Sequence, residues 1–180
     1  MPAPNRSLFS DTTTTLISLE HELSLVRDYF TIQQYRYGGA ITLRIDAEDE
    51  SLLQCRILKF TLQPIVENAI FHGIEPKGGP GTVTVRIYRD AKDDVHIDVT
   101  DDGIGMSAEA AEGILGNNAS TGSSFFKEIG ISNVHKRLQY EFGSRYGLTI
   151  TSTPGEFTTV SVLLPLDGKD KNNDQLTDCR

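Results

Sequence analysis

Apolar positions along the chain change period several times, and each change predicts an element. Leu19, Leu23, Val26 and Phe30 recur at helical spacing behind Ser18, whose hydroxyl suits a helix N-cap, and Gly38-Gly39 ends the run. The helix so defined lays one apolar stripe on a sheet. Ile41-Thr42-Leu43-Arg44-Ile45 then alternates as a half-buried strand and passes into an acidic turn through Asp46, Glu48, Asp49 and Glu50. From Ile57 to His72 the period is helical again, with Pro64 either kinking the run or starting its second half. The Gly- and Pro-rich stretch from Glu75 to Gly81 reads as a loop.

Thr82–Arg89 and Val95–Thr100 alternate as two strands, joined through Asp90 to Asp94 as a hairpin. Residues 106–127 are rich in Gly, Ser, Asn and Ala, with a short helix expected at Ala108–Leu115; so long a connection in a compact domain is commonly a lid. Ser132–Phe142 reads as a helix, and Leu148–Ser152 and Thr158–Leu164 as strands around a Pro154-Gly155 turn. Helices and strands alternate without a βαβ rhythm, so the expected fold is α+β. It is a two-layer sandwich with a mixed, mostly antiparallel sheet and helices on one face. One domain is expected over residues 16–166, preceded by a flexible remnant at 1–15 and followed by a disordered polar tail at 167–180.

Composition narrows the function without choosing it. A chain of 180 residues that is 38% hydrophobic and 23% charged can bury one good core. A net charge of −8 argues against a nucleic-acid binder, so any phosphate contacts are local ones. No apolar run approaches the roughly 20 residues of a membrane helix, and a signal-peptide pattern is missing; a cytoplasmic location is expected. Cys55 and Cys179 are far apart and read as reduced thiols.

Candidate chemistry concentrates in three stretches. In Leu62-Gln-Pro-Ile-Val-Glu-Asn-Ala-Ile-Phe-His-Gly73, helical spacing sets Asn68 and His72 one turn apart with Glu67 beside them, while Leu62, Ile65, Val66 and Ala69 turn to a core. A mostly apolar helix carries such a polar cluster only where it has partners for it, which suggests one wall of a ligand site. The strand Val95–Thr100 runs into Asp101-Asp102-Gly103-Ile104-Gly105, where the glycines permit a tight, ligand-hugging loop. Gly130-Ile131-Ser132-Asn133 stands where a helix start would present free amides, a setting suited to phosphate.

In that order the three stretches resemble the N, G1 and G2 boxes of the GHKL ATPase superfamily. The wording of the first, with Asn133-Val134-His135-Lys136-Arg137-Leu138 after the last, is similar to the LytS-like sensor histidine kinases over roughly residues 15–166. The resemblance implies the GHKL fold and binding of ATP with Mg2+. Asp101 would accept from the adenine amino group, and Gly103 and Gly105 would let the chain approach the nucleotide. Asn68 would hold Mg2+, and Glu67 would orient or deprotonate the attacking group. His72, with Gly130, Ser132 and Asn133, would reach the phosphates. Lys136 and Arg137 could add charge there, although a solvated helix face is the commoner reading of such a pair; His21, between two glutamates, reads as solvated.

The implied function is the catalytic domain of a two-component sensor histidine kinase. It would pass the γ-phosphoryl group to a histidine on an upstream dimerisation domain, and from there to a response regulator. No acceptor motif precedes Leu16, so the chain is expected not to phosphorylate itself, and the full-length protein is expected to be membrane-anchored. Departures from the family pattern are Glu128 where the G2 box opens with glycine, Pro64 where longer N boxes carry asparagine, and Phe157 at a small-residue position. Glu128 motivates an alternative, a degenerate nucleotide-binding or protein-interaction module with little phosphotransfer.

Overall fold

The computed structural model describes residues 15–115 and 125–166. Apart from Thr15, whose carbonyl accepts from the amide of Lys59 at 3.0 Å, the expected flexible ends lie outside the described residues, as do Cys179 and the middle of the expected lid. The described residues form two sheets. A small one pairs β1 (Leu16–Ser18) antiparallel with β3 (Arg56–Leu58). The main sheet is made of β2 (Ile41–Ala47), β4 (Gly81–Arg89), β5 (Asp94–Asp101), β6 (Gly147–Thr153) and β7 (Phe157–Pro165). Its order is β2-β4-β5-β7-β6, with β2 parallel to β4 and every other pair antiparallel. The expected mixed, mostly antiparallel sheet is thus observed.

Alternation along the central strands makes one face of that sheet the core. Val83, Val85 and Ile87 on β4 stand opposite Asp101, Val99 and Ile97 on β5, and the three aliphatic side chains of β4 are fully buried. Each such burial contributes about 1.5–3 kcal/mol. Among the described residues the α-helices beside the sheet are α1 (Leu19–Arg36), α2 (Leu62–Asn68), α3 (Ala108–Leu115) and α4 (Phe125–Phe142). Ser18 caps α1 as expected, its hydroxyl accepting from the amide of His21 at 3.2 Å, and His21 is exposed. Asp90 closes the β4–β5 hairpin by accepting from the amides of Lys92 and Asp94. These backbone bonds first, and then the His96 ring, hold its carboxyl down at about 2.

Two expected helices have different limits. Residues 56–58 form β3 instead of opening the helix, because Leu58, Ile57 and Arg56 pair with Leu16, Ile17 and Ser18. The helix therefore begins at Leu62, and Pro64 sits in its first turn, where a missing N–H costs nothing. At the other end α2 passes into a π-helical turn at Ala69–Ile74 and a 3-10 turn at Glu75–Lys77, part of the stretch expected to be pure loop. α4 begins at Phe125, seven residues before the expected Ser132.

A buried carboxylate starts α2. Thr61, at its N-cap, donates its hydroxyl to the carbonyl of Leu58 and caps nothing. The acceptor comes from α1: Glu22, fully buried, takes the amide of Leu62 at 2.9 Å through Oε1 and that of Phe60 at 3.0 Å through Oε2. An anion at a helix N-terminus satisfies free amides and meets the positive end of the dipole. Phe60 itself has φ of 61°, a left-handed conformation rare for a bulky side chain, and Glu22 helps to hold it there.

Candidate functional site

The π turn brings the first two candidate stretches together. Asp101, at the end of β5, is 3% exposed, and its Oδ1 accepts from the amide of Gly103 at 3.0 Å. A Cβ placed on Gly73 would lie 2.1 Å from that same oxygen, so only glycine fits against this carboxylate. The carbonyl of Gly73 accepts from the amide of Ile104 at 3.0 Å, which straps the 102–106 loop onto the end of the helix. A Cβ on Gly103 would in turn meet Gly73 at 2.2 Å.

Gly105 serves the opposite side of the loop. It has φ of 60°, and a Cβ there would lie 2.0 Å from the carbonyl oxygen of Thr153 on β6. Ser152 continues the anchorage: its hydroxyl accepts from the amide of Met106 at 2.9 Å and donates to the carbonyl of Phe157 at 2.7 Å. Gly103 and Gly105 are therefore required by contacts within the protein itself. Gly73 was not among the candidate residues, although its place directly after His72 was the available signal. Asp102 is structural, accepting from the amide of Thr82 at 2.9 Å and pairing with Lys77.

A cleft of about 140 Å³ lies beside this crossing, lined by Pro64, Glu67, Asn68, Phe71, His72, Gly130 and Ile131. It unites the first and third candidate stretches across α2 and α4. Its volume suits a phosphate-sized group or a few waters, well short of the 300 Å³ or more usual for a whole organic ligand. Glu67 is half-buried, and its Oε1 accepts from Gln63 Nε2 at 2.9 Å, one turn back on α2. Asn68 and His72 are also half-buried on the cleft wall. An amide and a carboxylate side by side are the oxygen donors that Mg2+ accepts while it keeps waters and phosphate oxygens, so the residues present fit that ion.

The third stretch departs from expectation in its backbone. Because α4 begins at Phe125, Gly130, Ser132 and Asn133 lie inside the helix instead of at its first turn. Their amides are then directed to carbonyls one turn back and are not free for an anion. Gly130 still faces the cleft, its Cβ position 4.0 Å from Pro64, whereas Ser132 and Asn133 do not line it. Arg137 donates to the carbonyl of Lys59 at 3.0 Å, and Lys136 is exposed; both belong to a solvated face.

A two-layer α+β sandwich whose Asp-x-Gly-x-Gly loop is strapped to a Glu-Asn helix defines an ATPase domain of the GHKL type. Residues 53–168 match the family of histidine kinase-, DNA gyrase B- and HSP90-like ATPases, and the chain belongs to that family. Among its relatives are sensor histidine kinases of the LytS-like type. It is 34% identical to the sensor histidine kinase YesM of Bacillus subtilis over 150 residues, 83% of this chain and 24% of that protein. To the sensor histidine kinase YpdA of Escherichia coli it is 35% identical over 127 residues, 71% of this chain and 21% of that protein. The chain thus spans from about a fifth to about half the length of the curated relatives it matches. In fold it is similar to the catalytic domain of histidine kinase ThkA, with a TM-score of 0.62 at 18% identity, covering 84% of this chain and 96% of that one.

Proposed function

We propose that this chain is the ATP-binding catalytic domain of a two-component sensor histidine kinase. It passes the γ-phosphoryl group of ATP to a histidine on an upstream dimerisation domain, and a response regulator receives it in turn. The observation that carries this reading is the crossing at Gly73, which sets a buried Asp101 carboxylate against the end of the Glu67-Asn68 helix. The relatives named as sensor histidine kinases support it, as does a ThkA structure solved in complex with the response regulator TrrA, to which this chain is similar with a TM-score of 0.61 at 19% identity, covering 86% of this chain and 42% of that one.

Asp101 receives the adenine amino group, because a carboxylate buried at a strand end and held by Gly103 has one fixed direction. Asn68 holds Mg2+, which when bound neutralises phosphate charge. Glu67 orients the attacking histidine and takes its proton; phosphoryl transfer depends chiefly on such positioning and on charge neutralisation. His72 and Gly130, which both line the cleft, meet the distal phosphates, and Ser132 and Asn133, which follow Gly130 on α4, are the further phosphate contacts of this reading. None of the described helices is long and apolar enough to cross a membrane. The full-length protein carries its anchor upstream, with this domain on the cytoplasmic side.

Calorimetric titration with a non-hydrolysable ATP analogue, with and without Mg2+, tests the reading. Saturable, Mg2+-assisted binding that Asp101→Asn removes is the expected result; no binding by the folded chain would refute it. The helical state of Gly130 favours one rival, a nucleotide module with little phosphotransfer, because spent amides leave the phosphates fewer donors. Under that rival, Glu128→Gly raises analogue affinity at least tenfold; under the kinase reading it leaves affinity within about twofold, a difference of less than 1 kcal/mol.

A further inference from the structure

Helices α1 and α2 run side by side in the same direction. Glu22 accepts from the amide of Leu62, the Arg36 guanidinium lies 5.3 Å from the centre of the Phe71 ring, and the Tyr37 hydroxyl donates to Glu75 at 2.8 Å. These contacts advance together along both segments. Tyr29 stands midway between Glu22 and Arg36, and midway between Leu62 and Phe71 lie Val66 and Glu67. Positions 22, 26, 29, 33 and 36 follow the spacing of a seam between two packed helices. Tyr29 is therefore set at the level of Glu67.

Two atoms on that seam, Tyr29 Oη and Gln33 Oε1, are buried with no hydrogen-bond partner among the described residues. A buried hydroxyl without a bond is costly, and it is a donor awaiting an acceptor. Ionisation of Tyr29 is pushed up to about 12, by burial first and next by the Glu67 carboxylate. Glu67 meanwhile accepts from Gln63, one turn back on its own helix. An i, i+4 pair moves as a unit, whereas a bond from a second helix fixes a direction.

We propose that Tyr29 is a positioning residue for Glu67: in the nucleotide-bound state its hydroxyl donates to the Glu67 carboxylate, replaces Gln63 and aims that carboxylate at the attacking group. The aiming role rests on the reading of Glu67 given above; the Tyr29–Glu67 pairing is separable from it. Because the Tyr29 hydroxyl makes no bond among the described residues, Tyr29→Phe leaves the folded protein as stable as its parent or more so.

Proton NMR of this chain follows the Tyr29 hydroxyl, assigned by its disappearance in Tyr29→Phe. With Mg2+ and a non-hydrolysable ATP analogue the hydroxyl proton becomes protected from exchange. Gln63→Leu produces the same protected proton without nucleotide, and Glu67→Ala abolishes it in both settings. The pairing is overturned by absence of a protected proton in the analogue complex and in Gln63→Leu, or by one that survives Glu67→Ala. A folded chain that binds no analogue refutes the nucleotide reading, while the Gln63→Leu arm still decides the pairing. If Glu67→Ala retains full phosphotransfer to an upstream acceptor domain supplied with the chain, the role of Glu67 fails and the aiming role of Tyr29 falls with it.

Discussion

Replacing Glu22 tests how α2, the helix that carries Glu67 and Asn68, is started. In Glu22→Ala the amides of Leu62 and Phe60 lose their acceptor, and Thr61, turned toward the carbonyl of Leu58, makes no cap bond that would replace it. The Leu62 amide is buried and stays dry; each such unmade bond costs about 1–3 kcal/mol, and bonds to a charged group lie at the upper end. Phe60 is half-exposed, so water recovers part of its loss. The sum is about 3–5 kcal/mol, a large part of the 5–15 kcal/mol that holds a domain together. Glu22→Gln keeps one acceptor oxygen and most of the packing, and loses about 1–2 kcal/mol. Urea unfolding at pH 7 on the two variants and the parent measures both values, provided the slopes agree. A loss under about 1 kcal/mol in Glu22→Ala would refute the argument, since it would mean that the start of α2 needs no acceptor from α1.

Two further outcomes follow from particular contacts. Gly73→Ala drives a methyl to 2.1 Å from Asp101 Oδ1, so it should lose about 1–3 kcal/mol of stability and all binding of an ATP analogue. Gly113→Ala, whose added Cβ meets nothing within 4 Å on α3, should be neutral or slightly stabilising, and calorimetry with thermal unfolding compares the two. His135 Nδ1 accepts from the amide of Leu148 at 2.9 Å, a bond that only the neutral ring can make. Burial, and then the neighbouring Lys136 cation, hold its ionisation below the ordinary value of 6.5. The unfolded chain then binds the proton more readily, so this contribution is complete above pH 6.5 and is lost as pH falls below it. Stability against pH in the parent and in His135→Gln checks this; equal slopes between pH 5 and 7 would contradict it.

Much of the architecture was legible from local pattern. Alternation located all five strands of the main sheet, because a half-buried strand writes its period into the sequence, and Ser18 and Gly38-Gly39 marked α1 correctly. The order of the three chemical stretches identified the family before any coordinates. Within those stretches, Glu67, Asn68, His72 and Gly130 share one cleft.

Tertiary structure decided what depends on partners remote in sequence. β3 exists because Leu16 pairs with Leu58, and no periodicity in residues 56–58 separates that strand from a helix start. The cap of α2 is a glutamate 40 residues upstream, which a local reading assigns to the solvated side of α1. Gly73 gains its meaning only from the Asp101 oxygen pressed against it, and the Tyr29 hydroxyl only from lying on a seam between two helices. The early start of α4, which spends the Gly130 amide, likewise runs against a glycine that local preference places at a boundary. Sequence alone determines periods and the kinds of chemical group available; which group meets which is set by the packing that buries them together.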